Sequence, residues 1–221
     1  MIKNIIFDLD NTIIENKEEY ISHYKEALES FGYDKNDYHL IYQLIAEYEV
    51  SLNADNRFYN KQDLIDFINK KLNKNYDISL IDKLAEVMGK YWTKYIFLEN
   101  STLEYLNQKY TLYVFTNWFK DSQTERLKNI DYLKYFSGVF GSDTVGAKPF
   151  KASFDNVLNK IGASPEECVM VGDNKALDIL GATNAGINGI LFDYDGLRDN
   201  PEIKVNKYTT ISNLKILEDI L

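Results

Sequence analysis

The stretch Ile5-Ile6-Phe7-Asp8-Leu9-Asp10-Asn11-Thr12 constrains this chain more than any other: an apolar run stops at one carboxylate, and a second follows two residues later. A short run that is apolar on both faces reads as a buried strand of a parallel sheet, so Lys3 to Leu9 is predicted to be such a strand. Open α/β sheets take their ligands beyond the carboxyl ends of the strands, which is where both acids stand. Strand side chains alternate faces, so Asp8 and Asp10 would project to one side if the strand continued, and the polar Asn-Thr turn can still aim them at a common point. Two anions held together need a cation or a shared proton. A solvated strand end followed by a helix cap would leave the same pattern, so the rest of the chain has to decide.

Three further segments bear on it. Tyr110 to Phe115 is a second apolar run, ending in Thr116-Asn117, a hydroxyl and an amide suited to phosphate oxygens. Gly146-Ala147-Lys148-Pro149 places a lysine in a turn, with Pro149 barring helix at the preceding residue. Val169-Met170-Val171-Gly172-Asp173-Asn174 is another apolar run ending in an acid, with Asp178 in the helical-looking stretch that follows. In this order the four segments resemble the four motifs of the haloacid dehalogenase-like (HAD) hydrolase superfamily, over essentially the whole chain. The resemblance is to subfamily I with a type I helical cap, on the phosphatase and nucleotidase side.

That resemblance implies roles. Asp8 matches the nucleophile, Asp10 the general acid/base, and Lys148 the lysine that steadies nucleophile and phosphate. Thr116 matches the hydroxyl that binds the transferred phosphoryl group, with Asn117 and Trp118 beside it as substrate-binding candidates. It further implies Mg2+ held by Asp8, the backbone carbonyl of Asp10 and Asp173, with Asp178 and Asn174 as outer partners. The implied reaction is magnesium-dependent hydrolysis of a small soluble phosphate monoester, of nucleotide, sugar phosphate or phosphoglycolate type, through an aspartyl-phosphate. Asp10 favours a phosphatase over the halide-expelling members, because halide leaves without a proton. Phosphomutase is the alternative enzyme, since that branch keeps both acids. A binding or regulatory module without turnover is the alternative from another class.

The chemistry accounts for these residue types. A phosphate dianion about 4 Å from a carboxylate meets repulsion of about 4 kcal/mol per pair of unit charges at an effective dielectric near 20. A hard cation and a fixed lysine offset that repulsion. A carboxylate nucleophile divides one displacement into two easier ones, with Asp10 protonating the leaving oxygen and then deprotonating water. Asp10 must therefore begin protonated, which burial or the neighbouring charge of Asp8 would favour.

With 25 basic against 34 acidic side chains, the net charge of −9 disfavours nucleic-acid polymers and anionic membrane surfaces, leaving small phosphorylated metabolites as the expected partners. The opening Met1-Ile2-Lys3-Asn4 leads straight into the first strand without a signal-peptide pattern, and the expected location is cytoplasmic. The lone Cys168 borders an apolar run and reads as a packed thiol.

The expected architecture is α/β: a doubly wound parallel sheet, Rossmann-like, built from residues 1–15 and 98–221, with a helical-bundle cap inserted over 16–97. Inside the insertion four helical stripes are expected. They are Tyr20, Tyr24, Ala27, Leu28 and Phe31; Leu40, Ile41, Leu44, Ile45 and Tyr48; Leu64, Ile65, Ile68 and Leu72 behind an Asn60 cap; and Leu80, Leu84, Val87, Tyr91 and Tyr95 behind a Ser79 cap. A capping box over Ser101 to Glu104 is expected to open the helix that returns to the core. His23 and His39 read as surface or partly buried polar residues. Trp118 either stacks on substrate or packs under the cap. The Arg57-Phe58-Tyr59 loop is a second candidate for contact with the leaving group.

Overall fold

Each short apolar run becomes a strand in the computed structural model, which describes residues 1–221. Strands β1 (Asn4–Phe7), β2 (Thr111–Thr116), β3 (Phe136–Gly141), β4 (Cys168–Gly172), β5 (Asn188–Phe192) and β6 (Tyr208–Ile211) form one sheet in the order β3-β2-β1-β4-β5-β6. Every neighbouring pair is parallel. Period-two alternation divides their side chains between two layers. Ile5, Phe7, Val169 and Val171 pack on one face with Leu103, Leu106 and Leu217, while Ile6, Cys168 and Met170 pack on the other with Phe154, Val157 and Ala182. Cys168 is fully buried and burial pushes its thiol up to about 11, in keeping with a packed group.

Between β1 and β2 the chain makes α1 (Glu18–Ile21), α2 (Tyr24–Ser30), α3 (Tyr38–Ser51), α4 (Lys61–Leu72), α5 (Ser79–Tyr91) and α6 (Asn100–Lys109). The expected first helix is broken between Ile21 and Tyr24, yet Tyr20, Tyr24, Ala27 and Leu28 still bury a common stripe beside Trp92. Phe31 and Leu40 stay exposed instead of joining their stripes. Asn60 caps α4 as expected, accepting from the backbone N–H of Gln62 and Asp63 at 2.8 and 3.2 Å. Ser79 does not cap α5: Asp77 precedes it and its carboxylate accepts the Ser79 N–H at 2.9 Å, a charged acceptor winning over a hydroxyl. The expected capping box at Ser101 is also absent. Helix α6 starts at Asn100, and the Thr102 hydroxyl donates instead to Glu218 at 2.6 Å, tying the helix to the end of the chain.

After β2 come α7 (Lys120–Asn129), α8 (Ser142–Val145) and α9 (Lys151–Ile161), the last closed by Gly162 in the left-handed conformation. The expected helix after β4 begins as a wide π turn over Lys175–Leu180 before α10 (Gly181–Asn184), and α11 (Leu217–Ile220) ends the chain. Helix α7 joins the insertion to the sheet. Its Ser122 Oγ donates to Ala85 O at 2.8 Å, and Asn129 Nδ2 to Gly89 O at 2.8 Å and Arg126 Nε to Trp92 O at 2.9 Å, the last two satisfying carbonyls at the end of α5. No helix is long and apolar enough to cross a membrane.

Candidate active site

Strand β1 stops at Phe7, and its continuation turns sharply: Asn11 takes the left-handed conformation (φ 59°) and its N–H bonds back to Ile14 O at 2.7 Å. Asp8 and Asp10 therefore keep different company while lining one cavity of about 270 Å³. Asp8, 6% exposed, accepts from Lys148 Nζ at 2.6 Å and from Thr12 Oγ1 at 3.2 Å. Asp10, partly exposed, accepts from Arg126 Nη1 at 2.8 Å and from Gln123 Nε2 at 3.1 Å.

Lys148 bridges two strand ends. Its ammonium also donates to Asp178 Oδ1 at 2.6 Å, and Asp178 Oδ2 accepts the Asn174 N–H at 2.9 Å. Such proximity depends on Gly172, where a Cβ would lie 2.3 Å from Asp178 Oδ2. Asn174 turns its own side chain to the backbone N–H groups of Ala176 and Leu177, at 3.0 Å each, capping the π turn. Asp173 accepts from Arg198 Nη1 at 3.1 Å, a partner that the sequence did not single out.

Carboxylate oxygens of Asp8, Asp173 and Asp178 lie within 4.8 Å of one another, all three buried. The Asp10 side chain is not among them, because Arg126 and Gln123 hold it elsewhere. Burial, with the charge of Asp178 adding to it and Lys148 opposing, raises Asp8 to about 7. Burial and the charges of Asp8 and Asp178 raise Asp173 to about 8. Burial alone would lower Lys148, but its two carboxylates outweigh that and hold its ammonium well above the usual range. The cluster thus gathers more negative charge than its cations offset. Hard oxygen donors with surplus negative charge fit Mg2+.

Thr116 is buried, and its hydroxyl accepts from Gln123 Nε2 at 3.0 Å, so Gln123 links Thr116 to Asp10. The Asn117 side chain is spent on its neighbours: Oδ1 accepts the Lys148 N–H at 2.8 Å, and Nδ2 donates to Lys148 O at 3.1 Å and to Glu49. It braces the lysine turn and reaches the insertion at once. Trp118 both lines the cavity and packs, its ring meeting Tyr59 at 5.9 Å and Phe119 at 4.9 Å. The Arg57-Phe58-Tyr59 loop docks on the sheet side instead of lining the cavity. Arg57 O accepts the Ala147 N–H at 2.8 Å, and Tyr59 is buried with its hydroxyl donating to Glu49 at 3.2 Å. Sequence reasoning gives Gln123 and Arg126 no role, and it misses Glu49 and Arg198.

A family model described as haloacid dehalogenase-like hydrolase matches residues 5–192. The chain belongs to this family. It is 27% identical over 207 residues, covering 87% of this chain and 81% of the relative, to the glyceraldehyde 3-phosphate phosphatase of Pyrococcus furiosus. It is 38% identical over 126 residues to the enzyme of that name from Methanothermobacter thermautotrophicus, a match spanning 55% of this chain and 56% of the relative. Among solved structures, the HAD-hydrolase YfnB from Bacillus subtilis bound to magnesium superposes with a TM-score of 0.73 at 23% identity, covering 99% of this chain and 98% of the other.

Proposed function

We propose that this chain is a magnesium-dependent phosphatase of small soluble phosphate monoesters, working through an aspartyl-phosphate on Asp8. The observation that carries this is the buried Lys148 ammonium bridging Asp8 and Asp178 at 2.6 Å each, in the cavity that also holds Asp10, Thr116 and Asp173. The names of the two phosphatase relatives point the same way. Residues 16–97 act as the cap over this cavity, and residues 1–15 and 98–221 as the core.

In this reading Lys148 orients Asp8, and Asp8 attacks phosphorus as the bond to the leaving oxygen breaks. Asp10 protonates that oxygen, then takes a proton from the water that attacks the aspartyl-phosphate and frees Asp8. Thr116 donates its hydroxyl to the phosphoryl group. Asp8, Asp173 and the Asp10 carbonyl would hold Mg2+, with Asp178 kept back by Lys148 and Asn174. When bound, the ion supplies positive charge that offsets repulsion between nucleophile and phosphate.

Phosphate release from glyceraldehyde 3-phosphate, glycerol 3-phosphate, sugar phosphates, nucleotides and an aryl phosphate tests the reading. Hydrolysis of at least one of them with magnesium, lost with chelator, is expected. No release from any of them, or release indifferent to chelator, overturns it.

A further inference from the structure

The part of the cavity wall that comes from the helical insertion is Tyr42, Ile45, Ala46 and Glu49 of α3, with Met88 of α5 and Trp92 just after it. The four α3 positions stand at the i, i+3, i+4, i+7 spacing of one helix face, so the lining is built from a single stripe. None of these six side chains is a cation, and one is a carboxylate. Elsewhere around the cavity the cations are Lys148 and Arg198. Lys148 is held by Asp8 and Asp178, and Arg198 by Asp173 and Asp195.

Glu49 is fixed in place. Its Oε1 accepts from Asn117 Nδ2 and its Oε2 from the Tyr59 hydroxyl at 3.2 Å, one donor from the strand end and one from the docked loop. A carboxylate oxygen has two acceptor sites, so each can take a further donor. Burial holds the Glu49 carboxyl above its usual range even though Asn117, Lys148 and Tyr59 pull it down, and the same burial would act against any other anion placed there. The cavity, about 270 Å³, also falls just below the usual range of ligand pockets, roughly 300 to 1,000 Å³.

We propose that Glu49 selects the leaving group: the site takes phosphate monoesters of a short, uncharged, hydroxyl-bearing carbon chain and rejects those that carry a second anionic group. A leaving-group hydroxyl donates to Glu49. A carboxylate or second phosphate finds no free cation on this wall and meets the Glu49 charge instead. The proposal rests on the phosphatase reading and narrows it.

The test compares glycerol 3-phosphate with 3-phosphoglycerate, which share a carbon chain and differ by a hydroxymethyl against a carboxylate, both assayed with magnesium. The unmodified protein should favour glycerol 3-phosphate by about tenfold or more in kcat/KM. Glu49→Gln keeps the shape and removes the charge, and should shrink that ratio by about threefold or more. Ala46→Lys, at an exposed position on the same stripe, should shrink it as well by giving the carboxylate a partner. A wild-type ratio at or below unity overturns the proposal, as does a ratio that neither variant moves. An aryl phosphate separates the two levels of failure. Its hydrolysis alongside a preference for 3-phosphoglycerate removes only the Glu49 proposal, whereas no hydrolysis of any substrate removes the phosphatase reading with it.

Discussion

Asp8 and Asp10 differ by two positions and by the charge set against each. Asp8 shares the Lys148 ammonium with Asp178, deep in the cluster, whereas Asp10 is held by the buried Arg126 guanidinium and by Gln123. Each carboxylate is therefore oriented by its own set of donors, so the two can be placed independently of one another. Asp8→Asn should keep the fold and lower kcat by about a thousandfold or more, measured as phosphate release with magnesium, because an amide oxygen is a poor nucleophile. Near-normal turnover would rule out the aspartyl-phosphate. Gln123→Leu removes the donor shared by Asp10 and Thr116, and a lost hydrogen bond to a charged group, about 1.5 to 3 kcal/mol, should lower kcat roughly ten- to a hundredfold. If Gln123 acts through Asp10, alkyl phosphates should lose more than activated aryl phosphates, whose leaving groups need less protonation. Equal losses would place Gln123 in packing alone. Sequence pattern pointed at the acids and the lysine because each ends an apolar run or sits in a turn. It did not point at Glu49, and it gave no role to Gln123 or Arg126, all polar residues within helices that look there like any solvated face.

At the scale of elements, α7 shows why that face misleads. Its sequence, KDSQTERLKN, reads as a surface helix, yet Ser122, Gln123 and Arg126 are buried. Ser122 and Arg126 donate to the Ala85 and Trp92 carbonyls where the insertion meets the core, while Gln123 is held inside by Asp10, Thr116 and Arg126, and each buried polar side chain thus finds a partner. The π turn after β4 follows a similar logic. A wide first turn lets Asp178 lie back over Gly172 and reach both Lys148 and the Asn174 N–H. Gly172→Ala should therefore destabilise by roughly 1 to 3 kcal/mol, the cost of overpacking, which for a chain of this size lowers Tm by about 2 to 12 °C. It should also slow turnover, because displacing Asp178 loosens Lys148. An alanine variant with unchanged Tm and unchanged kcat would mean that Asp178 has room to move.

Across the whole molecule, what was legible in the sequence was whatever periodicity and punctuation encode. The three apolar runs gave three of the six parallel strands, and the stripes around Ile41, Leu64 and Leu80 gave helices that pack on one another in the stretch of chain between β1 and β2. The Asp77 cap is local, two residues from Ser79, and was passed over for the hydroxyl, whereas the break between α1 and α2 and the Thr102 contact with Glu218 were not legible, since each depends on a neighbour brought up by the tertiary fold. The same holds for the balance of charge in the cluster, which has a consequence for stability. Asp8 near 7 and Asp173 near 8 lie well above the ordinary 3.8 of an aspartate, so between those limits the folded chain binds more protons than the unfolded one. Stability then falls as pH rises, since a raised carboxyl contributes fully below its unfolded pKa and loses that contribution through its folded one. With chelator present, Tm should decline between about pH 6 and about pH 8.5. Magnesium should offset the decline and stabilise most at the alkaline end, because it binds the deprotonated carboxylates. Asp8→Asn, which removes one of the repelling charges, should flatten the chelator curve. Thermal melts that rise or stay level over this window in chelator would mean that the three carboxylates are already balanced by Lys148 and Arg198 without a metal.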